Sequence, residues 1–189
     1  MLRSPGRDAG GAVPLSGARL RMIAQAVAAS PAAWQHLVRI DPARRWHTRL
    51  RGTAEYDIWL ESWLPGQGSG WHDHGGSAAV VVVARGELEE RVPVLGGVVT
   101  KIRHVPEGGT RILRRRQVHE LVNVSLASAV SVHVYVPPLA ATRGYELGAR
   151  GLRRAGAGRG QQAAAARSFR LEAAAPRRYR RGGRPLTAG

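Results

Sequence analysis

The sequence of 189 residues predicts a mainly β protein, a sandwich or small barrel with short helices before it and a basic tail after it. Two observations favour this class. Short apolar or alternating segments recur about every ten residues without intervening helices, and Gly pairs or polar residues separate them as turns do. The predicted strands cover residues 56–64, 78–86, 87–95, 98–105, 110–114, 120–125 and 129–136.

The segments before the first strand are predicted to be helical. Residues 1–14 are rich in Gly and Pro and are expected to be disordered. The apolar residues that follow recur at helical spacing until Pro31 ends the run. They are Leu20, Ile23, Ala24 and Val27. A second short helix is predicted over residues 32–38, with Trp34 and Leu37 facing inward.

The strand pattern stops at Pro137 and Pro138, so the predicted domain spans residues 15–138. Residues 139–189 contain twelve arginines and two glutamates among many alanines and glycines, and they carry most of the net charge of +16. Such a segment buries little apolar surface, so we expect it to be largely disordered. Because Lys101 is the only lysine, the arginines are as typical of a GC-rich genome as of a nucleic-acid-binding protein, and a solvated tail is the favoured interpretation.

Composition excludes several classes of function. The chain has no cysteine, which excludes disulfides, thiolate metal ligands and a cysteine nucleophile and fits a reducing cytoplasm. No window approaches the roughly eighteen continuous apolar residues of a membrane span, and the N-terminus lacks the apolar core of a secretory signal. We therefore expect a cytoplasmic protein, with no membrane partner, that acts as a monomer.

The clearest chemical signal is the pair His72 and His74, which lies between glycines after a predicted strand. On a strand, residues two apart point to the same face, so both imidazoles can bind one metal ion. Gly66 and Gly86 flank this pair at the spacing of the first motif of the cupin barrels, and His119 with its surroundings resembles the second motif. The chain resembles a cupin over roughly residues 45–138, which implies a double-stranded β-helix, also called a jelly-roll barrel.

One branch of the cupins is closer than the others. The glutamate of the first cupin motif falls on Ala79 here, and the thiol dioxygenases are the branch that binds metal with three histidines and no carboxylate. Four segments resemble the cysteine dioxygenase family, and bacterial members in particular. They are residues 47–50, 63–77, 118–125 and 129–138.

The resemblance implies a role for each matching residue. His72, His74 and His119 would bind Fe(II). Ser131, His133 and Tyr135 alternate on one predicted strand, so all three face the barrel interior, and in the family they form a hydrogen-bonded relay that reaches the substrate. Arg49 would bind the substrate carboxylate through its planar guanidinium. Arg51, two residues further on, is a second choice if the segment is a strand.

The implied activity is the addition of dioxygen to the sulfur of L-cysteine, which gives cysteine sulfinate. A closely related alternative is a dioxygenase for 3-mercaptopropionate or a similar thiol acid. A different class is a degenerate, non-catalytic cupin that binds nucleic acid through the basic tail, although the aromatic residues that stack on bases are scarce there. Nucleic acid is therefore the less favoured partner, after a small thiol and dioxygen.

The sequence departs from the family pattern at two places near the predicted metal site. Eukaryotic members have a cysteine near the metal that crosslinks to the relay tyrosine, and this chain has Ala79 there. The run Arg114, Arg115 and Arg116 stands just before His119, where the second cupin motif prefers Pro and Gly. If Arg116 replaces a glycine with positive φ, the backbone is strained, and any inward-facing cation would oppose metal binding.

Overall fold

The computed structural model describes residues 16–94 and 99–156. Helix α1, Gly17–Ala28, begins where the Ser16 side chain accepts a hydrogen bond from the Arg19 backbone, and it buries Leu20, Ala24 and Ala28. This is the first predicted helix. Within these residues no helix is long and apolar enough to span a membrane.

The second predicted helix, over residues 32–38, is not a continuous α-helix. Two short 3₁₀ turns, Pro31–Ala33 and Gln35–Leu37, take its place because Trp34 between them has a non-helical φ of −140°. The Trp34 side chain is buried as expected, and its indole N–H donates to the Ala28 carbonyl at 3.3 Å. The prediction that Leu37 faces inward is wrong, since its side chain is exposed.

The rest of the described chain is built from antiparallel strands. Each of the seven predicted strands is present within a few residues of its expected bounds. Four strands were not predicted as such: one before the first predicted strand, the two-residue strand His72–Asp73, and two after Pro138. The strands are β1 Trp46–Gly52, β2 Asp57–Trp63, β3 His72–Asp73, β4 Ala78–Arg85, β5 Leu88–Val94, β6 Val99–Val105, β7 Thr110–Leu113, β8 Glu120–Val122, β9 Ala129–Val136, β10 Arg143–Gly148 and β11 Gly151–Arg154.

These strands form one five-stranded sheet, in the order β1-β2-β9-β4-β7, and two three-stranded sheets, β6-β5-β8 and β11-β10-β3. Alternate residues of the large sheet enter two separate apolar clusters, as the two-residue period of a strand requires. The first cluster packs against α1 and includes Leu60, Val80 and Val132. The second joins the large sheet to the β5 and β8 strands and includes Leu88 and Leu121. The fold is the mainly β double-stranded β-helix that the sequence predicts.

The prediction that the strand pattern ends at Pro138 is wrong. β10 pairs with β3 and forms a hairpin with β11. This segment has few apolar side chains and is held by backbone pairing with β3, a strand far earlier in the chain. Hydrophobic periodicity in the sequence does not reveal such a pairing. The folded domain therefore extends to at least Arg154. The predicted disordered segments 1–14 and 157–189 lie outside the described residues.

Arg116 has the positive φ expected for it, 59°, in the turn between β7 and β8. The side chains of Arg114, Arg115 and Arg116 are all exposed, so this triplet does not place a cation inside the barrel.

Replacing Arg116 with glycine is expected to stabilise the protein by about 0.5–1 kcal/mol, because the left-handed backbone costs an L-residue about 1–2 kcal/mol and the added flexibility of the unfolded glycine chain offsets part of that gain. Urea unfolding measures the change. The matched control is Arg115→Gly, one residue earlier with no positive φ, which should be less stable than the parent protein. An equal change in the free energy of unfolding in both variants would contradict backbone strain at Arg116.

Candidate metal centre

Three histidines from two distant parts of the chain meet at one end of the barrel. His72 begins β3, His74 follows that strand, and His119 directly precedes β8. The backbones of His72 and His119 lie side by side, and each donates its N–H to the carbonyl of the other at 2.9 Å. One nitrogen from each imidazole lies within 4.8 Å of the other two. The structure thus brings together the three residues that the sequence proposes as metal ligands.

The hydrogen bonds around His72 determine which of its nitrogens is free. Its Nδ1 lies 3.0 Å from the Gly70 carbonyl oxygen, which can only accept, so Nδ1 carries the proton and Nε2 carries the lone pair. That Nε2 lies 3.1 Å from Nε2 of His74. Two nitrogens at right angles around an ion with bonds of about 2.1 Å are about 3 Å apart. The pair therefore has the separation that adjacent ligands of one metal ion require.

The buried nitrogens of this cluster also fit a cation. Nε2 of His119 is buried without a hydrogen-bond partner in the described structure. Buried polar atoms are almost always satisfied, and three imidazoles are a donor set that suits divalent transition metals. The cluster can therefore hold such a metal. Within residues 16–94 and 99–156 it is the one group of three metal-binding side chains found.

His72 and His74 are held neutral, as metal ligands must be. Burial, followed by the neighbouring His119, lowers the pKa of His72 from its ordinary value to about 3. Burial and the two other imidazoles hold the pKa of His74 well below its ordinary value. Among the described residues the cluster includes no carboxylate, and the position of the usual glutamate holds the small, buried Ala79.

The inward face of β9 presents a row of polar side chains to this cluster. The indole N–H of Trp63 donates to Ser131 Oγ at 2.9 Å, and Ser131 Oγ lies 2.8 Å from Nε2 of His133. His133 Nδ1 lies 3.2 Å from the Tyr135 hydroxyl. The Tyr135 ring packs edge-on against His74, with 4.9 Å between the ring centroids. The row therefore ends beside the three histidines.

Both titratable groups of the row stay uncharged near neutral pH. Burial lowers the pKa of His133 to about 4, so its imidazole has one donor and one acceptor nitrogen. Burial also raises the pKa of Tyr135 well above its ordinary value, so the phenol keeps its proton. Ala79 lies directly across from Tyr135 in the β4–β9 pairing, where no covalent link can form. The tyrosine is held instead by His133 and by its packing on His74.

Two charged residues that the sequence did not suggest lie next to this row. Glu61, opposite Ser131 in the β2–β9 pairing, has an oxygen 3.8 Å from Nε2 of His133 and 3.2 Å from Nε of Arg45. The Arg45 guanidinium lies over the Trp63 ring, 4.6 Å from its centroid. Burial acts to raise the pKa of Glu61, but the charge of Arg45 and the neighbouring His133 outweigh it and lower that pKa. Strand alternation could have identified Glu61 as inward-facing, whereas nothing in the sequence marks Arg45.

The structure places Arg49 differently from the sequence expectation. Arg49 pairs with Trp59 on β1, but its side chain is exposed and its guanidinium lies beside Gly52. A register shift follows it, so that Arg51 pairs with Ile58, whose side chain belongs to the cluster against α1. On an uninterrupted strand Arg49 and Arg51 would share a face. Because of the register shift, they do not. The arginine whose charge acts on His72, His74 and His133 is Arg45.

The turn that carries His72 and His74 is braced from the C-terminal hairpin. Asp73 points away from the metal cluster, as its position between the histidines predicts, and accepts hydrogen bonds from the Gly75 backbone at 2.6 Å and from the Tyr145 hydroxyl at 2.5 Å. The Tyr145 backbone donates to the Trp71 carbonyl. Residues 143–148, which the sequence assigned to the tail, thus hold the turn of His72 and His74 in place.

Comparison with known proteins matches most of the described chain to one family. The family model for cysteine dioxygenase type I matches residues 17–147. Cysteine dioxygenase type 1 of Bos taurus is 26% identical over 130 residues, which cover 63% of this chain and 64% of the bovine protein, and the Homo sapiens protein is 25% identical over the same length. The chain therefore spans slightly less than two thirds of these relatives.

Solved structures also resemble the fold. A Thermus thermophilus protein is 23% identical with a TM-score of 0.49, covering 55% of this chain and 93% of the other. A Klebsiella pneumoniae protein with a double-stranded beta-helix domain is 20% identical with a TM-score of 0.49, covering 65% of this chain and 93% of the other. Since the family model matches more than half of its length, the chain belongs to the cysteine dioxygenase type I family.

Proposed function

We propose that the protein is a non-haem iron thiol dioxygenase that adds both atoms of O2 to the sulfur of L-cysteine and gives cysteine sulfinate. The observation that carries this proposal is a cluster of three imidazoles that includes no carboxylate of the described residues. Lowered pKa values keep His72 and His74 neutral, and the cluster lies beside the protonated hydroxyl of Tyr135. Family membership supports the same chemistry.

His72, His74 and His119 would hold Fe(II), for which imidazole is a suitable ligand. When bound, the iron would supply a dication that favours deprotonation of the substrate thiol and a redox centre for its reaction with dioxygen. Because all three ligands are neutral, none of that positive charge would be offset by the protein's own ligands. A carboxylate at residue 79 would offset it, which is a physical reason for Ala79 at this position.

The row on β9 would orient the substrate. Trp63 has a donor and no acceptor, so its bond to Ser131 Oγ leaves the Ser131 proton free to point to Nε2 of His133. His133 Nδ1–H then donates to the Tyr135 oxygen, and the Tyr135 proton is left to point into the site. The row would present a fixed hydrogen-bond donor next to the metal.

The substrate carboxylate requires a cation, and two arginines are candidates. Arg49 matches the family position, yet its guanidinium lies beside Gly52 and is exposed. Arg45 lies closer to the relay but is paired with Glu61. We propose Arg49 as the carboxylate-binding residue, turning inward when the substrate binds. A carboxylate-binding arginine does not distinguish L-cysteine from 3-mercaptopropionate, because both have a carboxylate and they differ in the amino group. The alternative substrate therefore remains a candidate.

The test is product analysis under labelled oxygen. Purified protein loaded with Fe(II) and supplied with L-cysteine should consume O2 and form cysteine sulfinate with two labelled oxygen atoms. Comparing kcat/KM for L-cysteine and 3-mercaptopropionate decides between the two thiols. If protein shown to contain iron forms no sulfinate from L-cysteine and none from 3-mercaptopropionate, the proposed function is refuted.

A further inference from the structure

A buried carboxylate lies on the far side of His119 from the metal cluster. Glu90 of β5 is fully buried, and its Oε1 is 3.7 Å from Nδ1 of His119. The β5–β8 pairing sets Glu90 opposite Leu121, which shares a strand face with His119. Glu90 and His119 therefore both face the barrel interior.

The environment of Glu90 shows that its two oxygens have different partners. Oε2 accepts from Arg111 at 2.5 Å and from Arg103 at 3.2 Å. Arg103 is its direct partner across the β5–β6 pairing. Oε1 and His119 Nδ1, by contrast, are both buried without a hydrogen-bond partner in the described structure. Two guanidinium groups thus fix the carboxylate with its one free oxygen aimed at the imidazole.

We propose that Glu90 is a positioning residue for the metal site, accepting a hydrogen bond from Nδ1–H of His119 so that Nε2 of that ring carries its lone pair toward the metal. The inference rests on the proposed metal site. A separation of 3.7 Å is too long for a hydrogen bond, and closing it by about 0.7 Å satisfies two buried polar atoms at once. A ligating histidine commonly donates its other ring N–H to such a carboxylate.

The sequence raised the possibility that arginines near His119 oppose metal binding, and the position of Glu90 bears on it. The cations that reach the buried Glu90 beside His119 are Arg103 and Arg111, not the exposed triplet before His119. Their two positive charges would oppose a metal dication. Glu90 neutralises one of them, and the hydrogen bond to His119 is the additional effect that an experiment has to separate from this charge.

The primary test is Glu90→Gln, with Co(II) as the probe and chelator competition as the measurement. The variant is expected to weaken Co(II) binding about 10–100-fold, the loss typical of removing an outer carboxylate from a ligating histidine. The matched control is Glu89→Gln, on the same strand with its side chain on the opposite face and paired with Arg91. It makes the same change of net charge and should bind Co(II) like the parent protein.

A double variant separates positioning from charge and guards against poor folding. Glu90→Gln alone leaves two arginines unpaired inside the barrel, whereas adding Arg103→Met restores the net charge that Glu90, Arg103 and Arg111 have together in the parent protein. The double variant is expected to fold and still to bind Co(II) about tenfold or more weakly, because a neutral amide is a poorer acceptor than a carboxylate. Recovery of parental affinity would show that Glu90 acts as a counter-charge only.

An independent readout is the tautomer of His119 in the metal-free protein, measured by ¹H–¹⁵N NMR of the imidazole. The parent protein should carry the proton on Nδ1, and the Glu90 variants should show a shift toward the Nε2–H form. An unchanged tautomer or unchanged Co(II) affinity in Glu90→Gln would overturn the inference. If the parent protein itself fails to bind Co(II), the proposed metal site fails instead.

Discussion

Replacing His119 with alanine is expected to weaken Fe(II) binding at least about 100-fold, beyond the 10–100-fold typical of losing an outer residue, and to reduce thiol-dependent O2 uptake to background. The reason is geometric. His72 and His74 share one turn, and His119 is the proposed ligand that closes the cluster from the other side. Two imidazoles alone leave the metal exposed to exchange with water. Iron content after dialysis and O2 consumption measure the two effects.

The matched control for this change is His36→Ala, which removes an exposed histidine that does not belong to the group of metal-binding side chains found in the described structure. Its iron content and O2 uptake should equal those of the parent protein. A His119→Ala protein that is folded and retains parental iron affinity would contradict the three-histidine site.

The metal-free protein is expected to lose about 3–4 kcal/mol of its free energy of unfolding between pH 7 and pH 5.5, because each buried histidine contributes about 1.4 kcal/mol for every pH unit over which only the unfolded chain is protonated. His72, His74 and His133 have pKa values far below their ordinary value of 6.5. In this range the unfolded chain binds their protons and the folded chain does not. Stability therefore falls as the pH falls below about 6.5, and it falls further until the folded pKa values are reached.

The carboxylates do not account for a loss in this window. The pKa values of Glu61 and Glu90 are lowered from 4.5 in the folded protein, so their effect on stability appears only below about pH 5. Urea unfolding at the two pH values, after treatment with a chelator, measures the prediction. His36→Gln, which changes an exposed histidine, should show the same loss. A free energy of unfolding that is equal at both pH values would mean that these histidines are not buried as neutral groups.

Much of the fold could be predicted because strand periodicity is a local property. The β-branched run in β4 is continuous because both of its faces are buried, one against each apolar cluster. The polar alternation in β9 placed Ser131, His133 and Tyr135 on one face, which is where they lie. β10 and β11 could not be predicted in this way, because their pairing with β3 and with each other depends on backbone contacts and not on apolar side chains.

In the candidate site, too, local sequence patterns predict some residues, and contacts between distant strands determine the others. The spacing of His72 and His74, the motif around His119 and the replacement of the first-motif glutamate by Ala79 can all be read from the residues in order. Strand alternation can show that Glu61 faces inward, but no sequence signal shows the roles of Arg45, Glu61 and Glu90, since each role depends on a partner distant in the chain. Arg49 is the opposite case, a residue marked by family resemblance whose guanidinium lies at the exposed end of its strand, beside Gly52.

The sequence by itself determined the class of fold, the three histidines and the polar row of β9, because side-chain type and two-residue spacing are sufficient for each. Only the tertiary structure decided which charges surround them. Glu61 with Arg45, and Glu90 with Arg103 and Arg111, meet across strands that are distant in the chain. Electrostatic effects depend on distance and burial, and the order of residues along the chain specifies neither.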